Sequence, residues 1–209
     1  MQAEALETLL GRVVVAPQLE AWVAPSPVPL WEALEARTGS LLPPPFFAHA
    51  WPGSLALVEA LRTDAGLVAG RSVLDFACGG ALAGIVAAQL GARVCCNDID
   101  PLALATAQLN ARLNRVELET RLGDLIGHDD GWQVLLVGDV FYEAPLSARV
   151  TAWLDGLAAR GALVLVGDPG RQFLPLDRVS LVSTHSLAPN PAWDSVTDRP
   201  ARVWRWRTP

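Results

Sequence analysis

The chain has 209 residues, enough for one domain with a sizeable core, and 51% of them are hydrophobic. Its net charge is −6 and all 16 basic residues are arginine, a balance that argues against a nucleic-acid backbone as partner. No apolar run approaches the roughly 18–20 residues of a membrane span, and Cys78, Cys95 and Cys96 have no metal-ligand spacing and suit free thiols in a reducing cytoplasm.

Residues 1–53 read as a helical, proline-broken extension to a core over 54–209, the whole forming a single domain. The start is acidic and helix-like, unlike a signal or transit peptide. Leu6, Leu9 and Leu10 keep helical spacing before Pro25, Pro27 and Pro29 interrupt. A short amphipathic helix is expected over 30–37, and Pro43-Pro44-Pro45 is a stiff extended segment. A helix over 54–63 follows Trp51-Pro52-Gly53.

The string Ser72-Val73-Leu74-Asp75-Phe76-Ala77-Cys78-Gly79-Gly80-Ala81 predicts a buried strand, a tight small-residue loop and a helix over 82–90. A second strand over 92–96 ends in Asn97-Asp98-Ile99-Asp100-Pro101. This is a βαβ nucleotide-binding unit, whose loop N–H groups can approach a ligand. Asp98 follows Asp75 at close to the roughly 20-residue spacing of an acid that grips a ribose. The loop pattern is Asp75-x-Ala77-x-Gly79-x-Ala81, not the G-x-G-x-x-G of a dinucleotide site. An acid just before the loop would repel a pyrophosphate. It suits a ligand with a sulfonium, an ammonium and no phosphate, which is S-adenosylmethionine. Asp75, Ala77, Cys78 and Gly79 are therefore candidate cofactor residues, and a plain βαβ unit with no ligand is the alternative. Alanine is poorer than glycine wherever φ must be positive, so Ala77 and Ala81 bear on cofactor affinity.

Asp100 is a natural N-cap, with Pro101 at the first position, for a helix over 101–112. A short strand over 116–120 ends near Gly123-Asp124. An apolar strand over 133–138 closes in Asp139-Val140-Phe141-Tyr142, and a helix follows over 146–159. Another strand over 162–167 closes in Asp168-Pro169-Gly170-Arg171. Two tail strands, 179–187 and 201–207, flank a loop containing Asn190-Pro191 and can pair antiparallel at one edge. The alternation predicts a doubly wound, mostly parallel α/β sheet with ligands at the carboxyl ends of its strands. Asp75, Asp98, Asp124, Asp139 and Asp168 should then surround one cleft.

In that cleft Asp98 would accept both ribose hydroxyls and Ile99 would flank the adenine. Asp124 could accept the adenine amino group with Leu125 beside the ring, or it could be a turn residue after Gly123. Trp132 is either a cofactor cover or a core residue. His49, His128 and His185 have no metal spacing between them, and no metal site is expected.

Four strings occur in order: Pro43-Pro44-Pro45-Phe46-Phe47-Ala48-His49-Ala50-Trp51-Pro52-Gly53, Asn97-Asp98-Ile99-Asp100-Pro101, Gly138-Asp139-Val140-Phe141-Tyr142 and Val166-Gly167-Asp168-Pro169-Gly170-Arg171. With the loop, they resemble the seven-strand protein-lysine methyltransferases, most closely the electron transfer flavoprotein beta-subunit lysine methyltransferase family. The resemblance runs from about Pro43 to Arg171. Ala77, Ala81 and Gln133 depart from the family pattern. It implies a seven-strand S-adenosylmethionine-dependent fold and transfer to lysine on that flavoprotein subunit. It also implies Trp51 over the cofactor, Asp139 and Tyr142 as catalytic residues of the lysine channel, and Phe141, Asp168 and Arg171 on the substrate side. Asp168 and Arg171 could alternatively just pair with each other.

Related bacterial sequences also look like ribosomal-protein methyltransferases, and a small-molecule N-methyltransferase stays open. So does a methyltransferase-like binding protein without catalysis, for which the two loop alanines speak. A nucleic-acid base methyltransferase fits less well. Those acting on exocyclic amines commonly carry Asn-Pro-Pro-aromatic where this chain has Asp139-Val140-Phe141-Tyr142, and Asn190-Pro191 in the tail cannot replace it.

Overall fold

The computed structural model describes residues 6–187 and 200–208; Asn190-Pro191 and the first residues of the expected N-terminal helix lie outside them. The extension does not stay helical. β1 (Gly11–Ala16) and β2 (Leu19–Val23) form an antiparallel hairpin, with Gln18 at φ 55 in its turn. The run Val13-Val14-Val15 explains the strand, because β-branched side chains fit a pleated ribbon. Leu19 and Ala21 of β2 are buried, whereas Val13 and Val14 face outward.

α1 (Pro27–Thr38) contains the expected 30–37 helix and stops at Gly39, whose φ of 66 and N–H bond to the Glu35 carbonyl form a left-handed cap. A 3₁₀ turn (Phe46–Ala48) leads into α2 (Pro52–Thr63), which starts on Pro52 at a position where the missing N–H costs nothing.

The core alternates as expected: β3 (Ser72–Phe76), α3 (Leu82–Gln89), β4 (Arg93–Asp98), α4 (Pro101–Leu113), β5 (Glu119–Leu122), β6 (Val134–Gly138), α5 (Ala144–Ala159), β7 (Leu163–Asp168), β8 (Val179–His185) and β9 (Ala201–Trp206). The sheet order is β5-β4-β3-β6-β7-β9-β8. Pairs from β5 through β7 are parallel, and β9 lies antiparallel between β7 and the edge strand β8. β5 starts later than the predicted 116–120. Val116 is still closing α4 through its N–H to the Ala111 carbonyl at 3.0 Å, with Arg115 at φ 58.

Alternation along each strand splits the core into two layers. Val73, Val134, Leu136 and Leu165 pack with α2 and α3. Leu74, Phe76, Leu135, Val137 and Val166 pack with Trp153 and Leu154 of α5 on the other face. Truncating one of these fully buried leucines to alanine would cost about 2–5 kcal/mol. Among the described residues no helix is long and apolar enough to cross a membrane.

The strand order reverses between β3 and β6, which opens a crevice at their carboxyl ends. The start of α2 closes one side of it. Gly53 and Gly167 meet so tightly that a Cβ on either would collide with the other's carbonyl, and one on Gly138 would fall 2.5 Å from the Ser54 hydroxyl.

Candidate active site

The cofactor loop follows β3. Ala77, Gly79 and Ala81 all take left-handed backbone, at φ 51, 51 and 58. The three small residues of the Asp-x-Ala-x-Gly-x-Ala pattern are thus the positions where the chain must turn, and alanine is strained there by about 1–2 kcal/mol each. Phe47 lies over the loop, with its Cα 3.6 Å from where a Gly79 Cβ would stand. The Cys78 N–H donates to the Asn97 carbonyl at 2.9 Å. Its thiol is buried beside Cys96, a contact that together with burial pushes it well above its ordinary value. Cys78 therefore gives the loop its backbone rather than a reactive thiol.

Asp75 lies underneath this loop. It is buried, and its Oδ2 accepts the Gly84 N–H at 2.8 Å in the first turn of α3. Burial pushes its pKa up to about 7 against the pull of that bond. Its observed contact is with the start of α3, where a carboxylate suits the exposed N–H groups of a helix.

Asp98 ends β4. Its Oδ2 accepts the Gly79 N–H at 2.9 Å and its Oδ1 the Asp100 N–H at 3.0 Å. Burial raises its pKa while these bonds pull it down. Ile99 beside it is 74% exposed, an apolar face available to a flat ring. Asp100 caps α4 as predicted, accepting the Leu102 N–H at 2.8 Å.

On the adenine side, the Gly123 N–H donates to the Asp98 carbonyl at 3.0 Å, which brings the start of the next turn beside Asp98. Asp124 pairs with Arg149 of α5 and accepts the Ile126 N–H at 2.9 Å, and the Arg149 bond lowers its pKa. Leu125 is 4% exposed and, like Trp132, belongs to the core layer under α5.

The other half of the crevice forms between β6, β7 and α2. Asp139 takes φ 58 and is buried, its N–H held by the Gly167 carbonyl at 2.9 Å. Its Oδ2 accepts the Ser54 N–H at 3.0 Å in the first turn of α2, and its Oδ1 accepts Arg171 Nη2 at 2.9 Å. Burial pushes the Asp139 pKa up to about 6, with the Arg171 charge opposing it. Asp168 is fully buried, and its Oδ1 accepts the N–H groups of Gly170 and Arg171, both at 2.6 Å. Burial raises its pKa too. The Arg171 guanidinium carbon lies 5.7 Å from the Trp51 ring centroid. Trp51 is fixed by its Nε1 bond to the Phe46 carbonyl at 2.7 Å and by edge contacts with Phe46 and His49. Tyr142 stands half-exposed at the rim.

Phe141 is a correction. It is fully buried and stacks on Trp206 at 6.0 Å between ring centroids, so it is a core residue and cannot line a substrate channel. The turn after β6 sends Asp139 and Tyr142 to the crevice and Phe141 inward. The Arg171 guanidinium makes its close bond to Asp139, while Asp168 Oδ2 stands 3.9 Å from its Nε.

Three asparagines escaped sequence reading. Buried Asn97 donates to the carbonyls of Arg121 and Gly123, both at 2.8 Å, and ties β4 to the end of β5. Asn110 of α4 donates to the Gly80 carbonyl at 2.9 Å and accepts the Trp22 N–H at 2.7 Å. Asn114, one turn on, accepts the Glu20 N–H and donates to the Glu20 carbonyl. Only the four-residue spacing of Asn110 and Asn114, at the end of α4, hinted at a shared partner strand.

The crevice fits S-adenosylmethionine. A loop without large side chains, a ribose-type acid fixed against it and an exposed apolar neighbour stand together at the strand reversal, while Trp51 stands at the junction with the Asp139 side.

Comparison with known proteins agrees. The family model for ribosomal protein L11 methyltransferase (PrmA) matches residues 53–134. The electron transfer flavoprotein beta subunit lysine methyltransferase of Danio rerio is 37% identical over 173 residues, covering 78% of this chain and 67% of that protein. The Xenopus laevis protein of the same name is 40% identical over 131 residues, covering 61% of this chain and 53% of that protein. The chain thus spans about half to two thirds of these curated relatives. Among solved structures, the Pyrococcus abyssi tRNA (uracil-54, C5)-methyltransferase in complex with S-adenosyl-L-homocysteine aligns with a TM-score of 0.60 at 16% identity, over 95% of this chain and 44% of that one. The Synechocystis magnesium protoporphyrin IX methyltransferase with bound S-adenosylmethionine aligns with a TM-score of 0.54 at 19% identity, over 73% and 76%. Sheet order, loop and the match to the Danio rerio protein converge: this chain belongs to the electron transfer flavoprotein beta subunit lysine methyltransferase family, whose S-adenosylmethionine-dependent fold it shares.

Proposed function

We propose that this chain transfers the methyl group of S-adenosylmethionine to a lysine ε-amine on the beta subunit of electron transfer flavoprotein. The observation that carries the reading is the buried Asp139 carboxylate at the tip of β6, already engaged with a cationic side chain at 2.9 Å. A carboxylate so held is matched to an ammonium. Gly79, Asp98, Ile99 and Trp51 are the residues that would hold the cofactor, with Ala77 and Cys78 shaping the loop. When bound, the cofactor supplies an electrophilic sulfonium methyl.

The chain's own work is binding and orientation. A free lysine has a pKa of ~10.4, so its neutral amine is scarce at pH 7. Asp139, ionised above about 6, would hold the ammonium, help its proton leave to water so that the nitrogen lone pair is free, and aim that nitrogen along the channel. The Tyr142 ring would wall the entrance and favour the cation through its π face. Positioning two bound reactants in line supplies much of the rate without a covalent enzyme intermediate. The net charge of −6 favours an acceptor lysine set among basic residues. The three cysteines are free, which supports a reducing compartment such as the cytoplasm.

The ribosomal-protein reading draws on the PrmA model, which matches residues 53–134, whereas the likeness to the flavoprotein-subunit methyltransferase extends over 173 residues. The test offers the purified chain labelled S-adenosylmethionine with purified flavoprotein beta subunit, ribosomal protein L11 and a small amine in parallel. Label on lysine of the flavoprotein subunit supports the proposal. Label only on one of the other acceptors refutes this substrate.

A further inference from the structure

The Arg171 guanidinium has two carboxylates within reach and uses only one well. Its Nη2 bonds Asp139 Oδ1 at 2.9 Å, while its Nε stands 3.9 Å from Asp168 Oδ2. That Nε and that Oδ2 are both buried, and neither has a hydrogen-bond partner among the described residues. A buried cationic donor and a buried carboxylate oxygen left apart are a cost that a short movement would remove.

We propose that Arg171 is a two-position gate: it stands in for the substrate ammonium on Asp139 when no acceptor is bound, and transfers to Asp168 when the acceptor lysine arrives. This rests on Asp139 as the lysine-side carboxylate. Arg171 is a positioning residue here, since it acts through Asp139.

The surroundings fix which group moves. Asp168 is anchored through Oδ1 by the N–H groups of Gly170 and Arg171, so its free oxygen cannot turn away. Asp139 is anchored through Oδ2 by the Ser54 N–H, so its other oxygen stays aimed when Arg171 departs. The guanidinium has to advance only about 1 Å to bring Nε into hydrogen-bond range of Asp168. Throughout, it stays over the Trp51 ring, whose attraction for a cation is broad in direction.

Charge balance points the same way. Two carboxylates and one guanidinium carry one net negative charge in the free site. An arriving ammonium neutralises it and leaves two ion pairs, Asp139 with the lysine and Asp168 with Arg171. The charged groups facing Asp139 are Arg171 and Asp168 beyond β7 and the N–H end of α2. Tyr142 lies on its own turn, and His49 meets Trp51 edge-on.

The first test needs no catalysis. The Arg171 Nε–H resonance of the ¹⁵N-labelled full chain, assigned with Arg171→Met, is followed from pH 8 downward. Protonation of Asp139, with a midpoint near 6, removes the anion that holds Nη2. The resonance should move downfield with that midpoint, and adding Nα-acetyl-lysine amide at pH 8 should move it the same way. Asp168→Asn, which replaces the receiving oxygen by a donor, should abolish both movements. A wild-type resonance that stays put in both titrations overturns the gate, whatever the enzymatic activity. A resonance that moves with pH while no lysine acceptor is methylated leaves the two positions of Arg171 standing and removes the lysine reading.

The second test is kinetic. Asp168→Asn should raise the KM for the protein acceptor several-fold with a smaller effect on kcat. Arg171→Met should lower that KM at pH 9 and shift the acidic limb of kcat/KM upward by about one pH unit or more, as Asp139 loses its neighbouring cation. An equal loss of kcat at every pH in Arg171→Met marks a merely structural arginine and overturns the proposal.

Discussion

Gly79 donates its backbone N–H to the Asp98 carboxylate at 2.9 Å, so the turn after β3 and the acid at the tip of β4 are one unit before any ligand arrives. Asp98→Ala should therefore remove the ribose acceptor and slacken the loop together. Each charge-assisted bond is worth roughly 1.5–3 kcal/mol, and water would replace part of it. Cofactor affinity should fall about ten- to a hundredfold. Calorimetric titration with S-adenosylmethionine checks this, and an unchanged Kd would rule out the ribose role.

Asp139→Asn separates binding from chemistry. The amide keeps the size of the carboxylate and an oxygen for the Ser54 N–H, but loses the charge that faces Arg171 and the lysine. Cofactor affinity should stay within about twofold while methyl transfer falls by about a hundredfold or more. Parallel losses of both would move Asp139 into the cofactor pocket.

The loop alanines make a paired test. Ala77 is exposed at φ 51, so Ala77→Gly relieves strain and loses no packing. Relief of about 1–2 kcal/mol, less roughly 0.4–1 kcal/mol for the more flexible unfolded chain, leaves a small net gain. Ala81 has the same backbone at φ 58, but its methyl is fully buried and contributes about 0.8 kcal/mol. Ala81→Gly should therefore come out near neutral. Urea denaturation in which Ala81→Gly stabilises more than Ala77→Gly would count against this account.

Asp75 predicts a pH dependence of stability. Its folded pKa of about 7 lies above the ordinary 3.8, so the folded state holds the proton more tightly. The cost of ionising it is absent below the unfolded value, grows as pH rises and is complete above about 7. Asp75→Asn removes this dependence. The stability of the variant relative to wild type should rise by about 4 kcal/mol between pH 4 and pH 8. Denaturation at those two pH values reads it directly, and a constant difference would mean that Asp75 is not strained by burial.

Attraction between an acidic enzyme and a basic acceptor surface should weaken with salt, over a Debye length of ~10 Å at 0.1 M. Methylation of the flavoprotein subunit should slow between 50 and 300 mM sodium chloride, chiefly through KM. A KM independent of salt would show that docking relies on apolar contact.

What the sequence disclosed was short-range. The βαβ unit, the Asp100 cap and the acid at each strand tip are spelled within a few residues, because turns and caps are local chemistry. Phe141 was misread because its partner Trp206 lies on the last strand, and the sequence does not say which way the turn after β6 rolls. The bond between Arg171 and Asp139 joins two strand tips and has no spacing to betray it. The hairpin was missed because its turn, Pro17-Gln18, lacks the asparagine or glycine that usually marks one. The loop alanines could be named as a concern from sequence, but only the backbone angles show that they stand where glycine is preferred.

Asn110 holds the backbone of Gly80 with one end of its amide and the backbone of Trp22 with the other. A side chain buried between two such anchors works as a tie rod. A fragment beginning at Trp51 would keep every residue assigned to the crevice, yet it would leave that amide oxygen without its strand and remove Phe47 from above the loop. The hairpin thus braces, from outside the crevice, the turn on which the ligand must rest.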